Sequence, residues 1–193
     1  MIIHEGYNRV IYIHIPRTGG RYVTAYFKNH HITESDYDTF IDDHFCIAHS
    51  KINYYKNYDF KNFTVVRNPY TRFISTLKRC LPECNLPLNV FENVTNYKTF
   101  IKYLNKMKNM NGLGQFFEKQ INFINDDTYI WKLEYGLHDS FLKWLKDNFD
   151  LNINIRDPKY LAWPRDFNKV KVSKKVESFI KKYYKEDYEK FKY

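Results

Sequence analysis

The chain has 193 residues, enough for one domain with a sizeable core and too few for two well-developed ones. With 44% hydrophobic and 27% charged residues it has ordinary globular usage, which excludes disordered and fibrous classes. Its formal net charge of +9 attracts anions, and charge alone does not choose among nucleic acid, an acidic membrane surface, a polyanionic glycan and a phosphate-rich cofactor.

Met1 to Arg9 lacks a signal-peptide core, and no apolar run approaches the ~20 residues that cross a bilayer. A soluble, cytoplasmic protein with no transmembrane segment is therefore expected. Arg9 to Ile15 is β-branched and aromatic and stops at Pro16, which cannot continue a sheet ladder, so it reads as a buried strand. Arg17-Thr18-Gly19-Gly20 follows, and in Arg21 to Lys28 the apolar residues Tyr22, Val23, Tyr26 and Phe27 fall at helical spacing. This makes a strand, glycine turn and helix in succession. Phe45 to Ala48, between His44 and His49, reads as a second strand with polar ends. Asn62 to Arg67 reads as a third, leading through Asn68 and Pro69 into a helix over Tyr70 to Leu77, with Pro69 suited to a first helical position.

Leu81 to Asn96 contains Pro82 and Pro87 and reads as a loop placed to cover a site. The pattern then gives helices over Tyr97 to Met110 and Phe116 to Ile124, a strand over Thr128 to Leu133 and an amphipathic helix over Leu137 to Phe149. Asn152 to Lys171 is irregular, and Ser173 to Phe191 is a Lys-rich helix with Ser173 as N-cap. Cys46, Cys80 and Cys84 form an odd set without C-x-x-C spacing, which argues for reduced structural thiols and against a disulfide framework or a metal site. The alternation implies an α/β, P-loop-like fold over residues 1–193: a single domain with a mostly parallel sheet flanked by helices on both faces. Ligands of such sheets bind beyond the carboxyl ends of the strands, where both turns lie.

Pro16 to Gly20 offers backbone N–H groups at a helix N-terminus, two glycines and a cationic side chain, which together form an anion cradle. The Walker pattern G-x-x-x-x-G-K-[ST] is absent, so an ATP or GTP reading loses its main support. A plain strand-to-helix turn is the alternative reading of Gly19 and Gly20. In the second turn Arg67 ends a strand and Ser75 lies on the following helix, a sensible phosphate clamp because guanidinium binds phosphate bidentately. Arg72, at another helical angle, reads as a solvated charge. Two such turns at two strand ends suit a cofactor with phosphates at both ends of an adenosine.

These motifs resemble those of the sulfotransferases that use 3′-phosphoadenosine 5′-phosphosulfate (PAPS), and within them the carbohydrate branch. His14-Ile-Pro-Arg-Thr-Gly-Gly20 is similar to the family's 5′-phosphosulfate loop, P-K-T-G-G-T-S. Val66-Arg-Asn-Pro-Tyr-Thr-Arg-Phe-Ile-Ser75 is similar to its 3′-phosphate motif, R-N-P-x-x-R-x-x-S. Gln120, Leu133-Glu134 and the closing Tyr183, Tyr184, Asp187 and Phe191 resemble later landmarks. The chain departs from the pattern where Arg17 replaces the usual Lys and Arg21-Tyr22 the usual Thr-Ser; Thr18 or Thr24 is then left to supply a hydroxyl.

The resemblance implies that Arg17, Thr18, Gly19, Gly20 and Arg21 hold the 5′-phosphate, that Arg17 also stabilises charge on the leaving oxygen, and that Arg67 and Ser75 hold the 3′-phosphate. A base is wanted for the acceptor proton. His49, at the end of the second expected strand and on the edge of both turns, is the candidate, with a structural histidine as the alternative. His44 and Glu134 are further candidates, Glu134 equally suiting a helix cap, and His14 reads as structural. Lys169 to Lys175 suits either an anionic ligand or solvent, and Tyr160 to Trp163 either a sugar or the core. The acceptor implied is a glycan or small hydroxyl compound. A P-loop-type kinase and a basic nucleic-acid-binding domain are the competing classes; no helix-turn-helix, RRM or zinc signature supports the second, so no nucleic-acid partner is expected.

Overall fold

The computed structural model describes residues 2–5, 8–27, 40–42, 45–46, 51–55, 59–110, 113–153 and 170–193. Its strands are β1 (Ile2–Glu5), β2 (Asn8–Ile13), β3 (Phe40–Asp42), β4 (Phe45–Cys46), β5 (Lys61–Val66) and β6 (Tyr129–Lys132). Its helices are α1 (Gly20–Phe27), α2 (Pro69–Glu83), α3 (Tyr97–Lys108), α4 (Asp139–Phe149), α5 (Lys174–Tyr183) and α6 (Lys185–Phe191). None of the described helices is long and apolar enough to cross a membrane.

The main sheet has the order β1-β2-β5-β6, with β1 antiparallel to β2 and the other three strands parallel. This is the expected α/β arrangement. Because side chains alternate across a strand, Val10, Tyr12, Phe63 and Val65 share one face, where they pack with Val23, Tyr26 and Phe27 of α1 and Phe141, Leu145 and Phe149 of α4. Ile11, Ile13, Thr64 and Val66 on the opposite face are equally shielded from water. The near-continuous apolar runs of β2 and β5 therefore belong to strands buried on both faces.

The chain divides into two compact units. The first comprises Met1–Thr39, Cys46–Arg67 and Asn122–Arg165, and the second Phe40–Phe45, Asn68–Ile121 and Asp166–Tyr193. Each has its own core; that of the second gathers Phe73, Leu77, Phe91, Phe100, Leu104, Phe117, Val176, Ile180 and Tyr184.

Several elements differ from the sequence expectation, each for a physical reason. The described part of the run expected over Phe45 to Ala48 is β4, which pairs with β3 in a separate two-stranded ladder, because a short apolar run carries its period but not its partner. α2 continues to Glu83 with Pro82 inside it: the ring removes one donor in the last turn, while buried Cys80 and Leu81 hold that turn to the core. Phe91 and Val94, expected in a covering loop, are buried in the second core.

Phe116 to Ile124 forms two short 3₁₀ turns rather than one helix. Its backbone groups are claimed by side chains from elsewhere in the second unit. The Arg72 guanidinium donates to the carbonyls of Phe116 and Glu118 at 3.3 and 2.8 Å, and the Tyr184 hydroxyl to that of Phe117 at 2.9 Å. The Asp187 carboxylate accepts the N–H groups of Gln120 and Ile121 at 2.9 and 3.0 Å. The expected C-terminal helix is likewise two helices, divided at Tyr184. Ser173 caps α5 as expected, its hydroxyl accepting the Val176 N–H at 3.2 Å.

Candidate functional site

In the first unit β2 and β5 lie side by side and parallel, with Tyr12 opposite Phe63 and Ile13 opposite Thr64. The segments after Ile13 and Val66 therefore leave the sheet at the same edge. Thr64 reinforces the pairing, its hydroxyl donating to the Ile13 carbonyl at 2.7 Å.

The loop between β2 and α1 is built on two left-handed residues, Arg17 at φ 69° and Gly19 at φ 90°. Glycine takes that conformation freely, whereas at Arg17 the β-carbon makes it cost roughly 1–2 kcal/mol. Neighbouring side chains hold the bend. The Arg67 guanidinium donates to the Arg17 carbonyl at 3.4 Å, and the buried Thr18 hydroxyl donates to the Ile15 carbonyl at 2.8 Å. A β-carbon on Gly19 would meet the Leu133 and Leu137 methyls at 3.0 Å, and one on Gly20 would fall 1.7 Å from His14 Nε2. Both glycines are thus enclosed by side chains of the protein itself.

The Gly19 carbonyl accepts the Tyr22 and Val23 N–H groups at 2.9 and 3.2 Å, which starts α1 directly from the loop. A helix leaves its first N–H groups directed outward along the axis, where an anion is favoured. The left-handed turn containing Arg17, the helix start and the Arg67 guanidinium come together at these strand ends, and these residue types fit a phosphate or phosphosulfate group.

The connection after β6 forms the flank of the loop. Leu133 and Leu137 pack on Gly19, the Tyr26 hydroxyl donates to the Leu137 carbonyl, and the Tyr22 hydroxyl lies 3.2 Å from His138 Nδ1. Tyr22, standing where the family pattern has Ser, is engaged with that flank.

The structure brings Arg17, Thr18, Gly19, Gly20 and Arg67 together, with Arg17 and Arg67 partly exposed, and leaves Arg21 exposed on the first turn of α1. Neither threonine proposed to replace the missing hydroxyl has a spare proton: Thr18 donates to Ile15, and buried Thr24 donates to the Gly20 carbonyl one turn back. Ser75 lies partly buried on α2 in the second unit. Arg72 is only 1% exposed and structural, not a solvated charge. Glu134 is exposed on a short turn, Leu133–Tyr135, directly after β6.

His49 and His44 lie outside the described residues, as do Tyr160 to Trp163. The strand meant to bring His49 to the shared edge is β4, which is not part of the main sheet. The sequence reading of His14 as structural agrees with its ring filling the space beside Gly20, a contact the sequence did not specify. The adjacency of an imidazole at the strand end to the glycine turn was the only available signal, and spacing alone does not say which way a ring turns.

Sheet, loop and helix start together define an α/β protein whose glycine turn lies at the carboxyl ends of its parallel strands. The model of the sulfotransferase family matches residues 1–128, a stretch containing both motifs, and the chain belongs to that family. Transfer of sulfuryl groups is the activity that membership carries. No curated protein and no solved structure matches the chain.

Proposed function

We propose that the chain transfers the sulfuryl group of PAPS to an acceptor hydroxyl, with a glycan as the favoured acceptor class. The observation that supports this most directly is the placement of the Pro16–Gly20 loop and Arg67 at the ends of neighbouring parallel strands, joined by the Arg67–Arg17 hydrogen bond. In this reading the loop and α1 hold the 5′-phosphosulfate, Arg67 reaches the 3′-phosphate, and the motif assigns Ser75 to the same phosphate. The glycan preference rests on the resemblance of the motifs to the carbohydrate branch.

The acceptor oxygen attacks sulfur as the bond between sulfur and the bridging phosphate oxygen breaks. Arg17 stabilises the charge left on that oxygen, and the acceptor proton passes to a base, for which His49 is proposed ahead of His44 and Glu134. Positioning and charge stabilisation supply most of the acceleration in such transfers, as in phosphoryl transfer.

The test is ligand-induced thermal stabilisation. A ligand at 100 times its Kd adds about 2.7 kcal/mol to stability, so 3′,5′-ADP should raise the unfolding temperature clearly and ATP with Mg²⁺ should not. Arg67→Ala should weaken 3′,5′-ADP by roughly 10- to 100-fold, the weight of a charge-assisted contact. His49→Ala should spare that binding and remove turnover. Stabilisation by ATP alone, or undiminished 3′,5′-ADP affinity in Arg67→Ala, would refute the donor assignment.

A further inference from the structure

His14 ends the apolar run of β2, and its imidazole stacks on the Tyr12 ring with centroids 5.9 Å apart and planes 15° from parallel. The ring also lies against Gly20. The three heavy atoms nearest a β-carbon built on Gly20 all belong to this imidazole: Nε2 at 1.7 Å, Cδ2 at 1.9 Å and Cε1 at 2.5 Å. No side chain at position 20 shares that space with the ring; a methyl there displaces it. Gly20 does not lie in the left-handed region, so its backbone imposes no need for glycine. The need comes from His14.

Gly20 is also the first residue of α1, the end of the helix that faces the proposed 5′-phosphosulfate. The ring thus touches both the end of β2, through Tyr12, and the first residue of α1. We infer that His14 is a positioning residue: its ring acts by shape, through Gly20, to set the loop and helix start in the register that binds the donor. This rests on the PAPS reading for its ligand, while the steric coupling stands apart from it.

A double-mutant cycle over His14→Ala and Gly20→Ala tests both parts. Each single change removes the ring from its seat, so each should weaken 3′,5′-ADP about tenfold, and the double variant should also lose about tenfold rather than a hundredfold, since displacements of this kind misplace binding groups and coupled sites do not add. The KM for PAPS should rise in step while the KM for the acceptor stays unchanged, a split that general loss of structure does not produce. His14→Phe, which keeps a flat ring on Tyr12, should remain within about threefold of wild type because the same seat is filled.

Unfolding midpoints without ligand supply an independent readout. Gly20→Ala should lower the midpoint in the wild-type background and raise it in the His14→Ala background, where alanine, the better helix former, no longer meets the ring. A hundredfold loss in the double variant, His14→Phe as weak as His14→Ala, or a midpoint lowered equally in both backgrounds would overturn the inference. Failure of the wild-type chain to bind 3′,5′-ADP would instead overturn the donor reading, leaving the midpoint cycle to judge the coupling.

Discussion

On the proposed reading Arg17 carries two burdens at once, a charge for the ligand and a backbone angle that its β-carbon disfavours. Glycine relieves the second while removing the first, so Arg17→Gly should unfold at the same or a higher urea concentration than wild type, by up to about 1 kcal/mol, yet lose most sulfuryl transfer. A large loss of stability would show that the side chain itself holds the fold. Thr18 gives the opposite case. Its hydroxyl is tied to the Ile15 carbonyl in a fully buried site, so Thr18→Val should cost roughly 1–3 kcal/mol by leaving that carbonyl without its partner, measurable as a lower urea midpoint. The resemblance implies ligand contact for both residues, and residue type alone does not separate them. Which of them faces inward depends on the backbone angles of the bend, and these leave no trace in residue type.

Among the elements, the two strand-turn-helix units were legible because periodicity and turn chemistry agree in each: β-branched runs, then Pro16 with Gly19 and Gly20 in one and Asn68 with Pro69 in the other. Asn68 caps α2, its side chain accepting the Tyr70 and Thr71 N–H groups at 3.0 and 3.2 Å. The segment 114–123 was not legible, since its shape is dictated by Arg72 and Asp187, which stand far away in sequence and approach only through the fold. Arg72 looked solvated for the same reason: a buried guanidinium is readable only from its acceptors. Removing it leaves two buried carbonyls without their donor and takes a positive charge from near Asp187, so Arg72→Met should cost about 3–5 kcal/mol, the usual penalty for breaking a buried charged network from one side. Circular dichroism melts would settle the size, and a loss below ~1 kcal/mol would mean that the network is not what holds the turns.

At the scale of the whole molecule, stability should carry a signature of Asp187. Burial pushes its carboxyl above the ordinary range, while the N–H groups of Gln120 and Ile121 and the charge of Arg72 pull it back only in part. The folded chain therefore binds this proton more readily than the unfolded chain does. Its contribution favours folding fully below the unfolded value near ~3.9 and is lost as pH rises through the raised folded value. Urea midpoints of wild type relative to Asp187→Asn should accordingly fall on moving upward from about pH 4; a rise over the same interval would reverse the assignment. At the alkaline end Tyr26 is shifted in the same direction. Burial first, and the neighbouring Tyr22 second, move its ionisation far above the usual phenol range, so the hydroxyl that grips the Leu137 carbonyl keeps its proton throughout. The strap from the first helix to the exit of β6 keeps its hydrogen bond in the folded chain, while the stability it lends declines in base once the unfolded phenol begins to lose its proton.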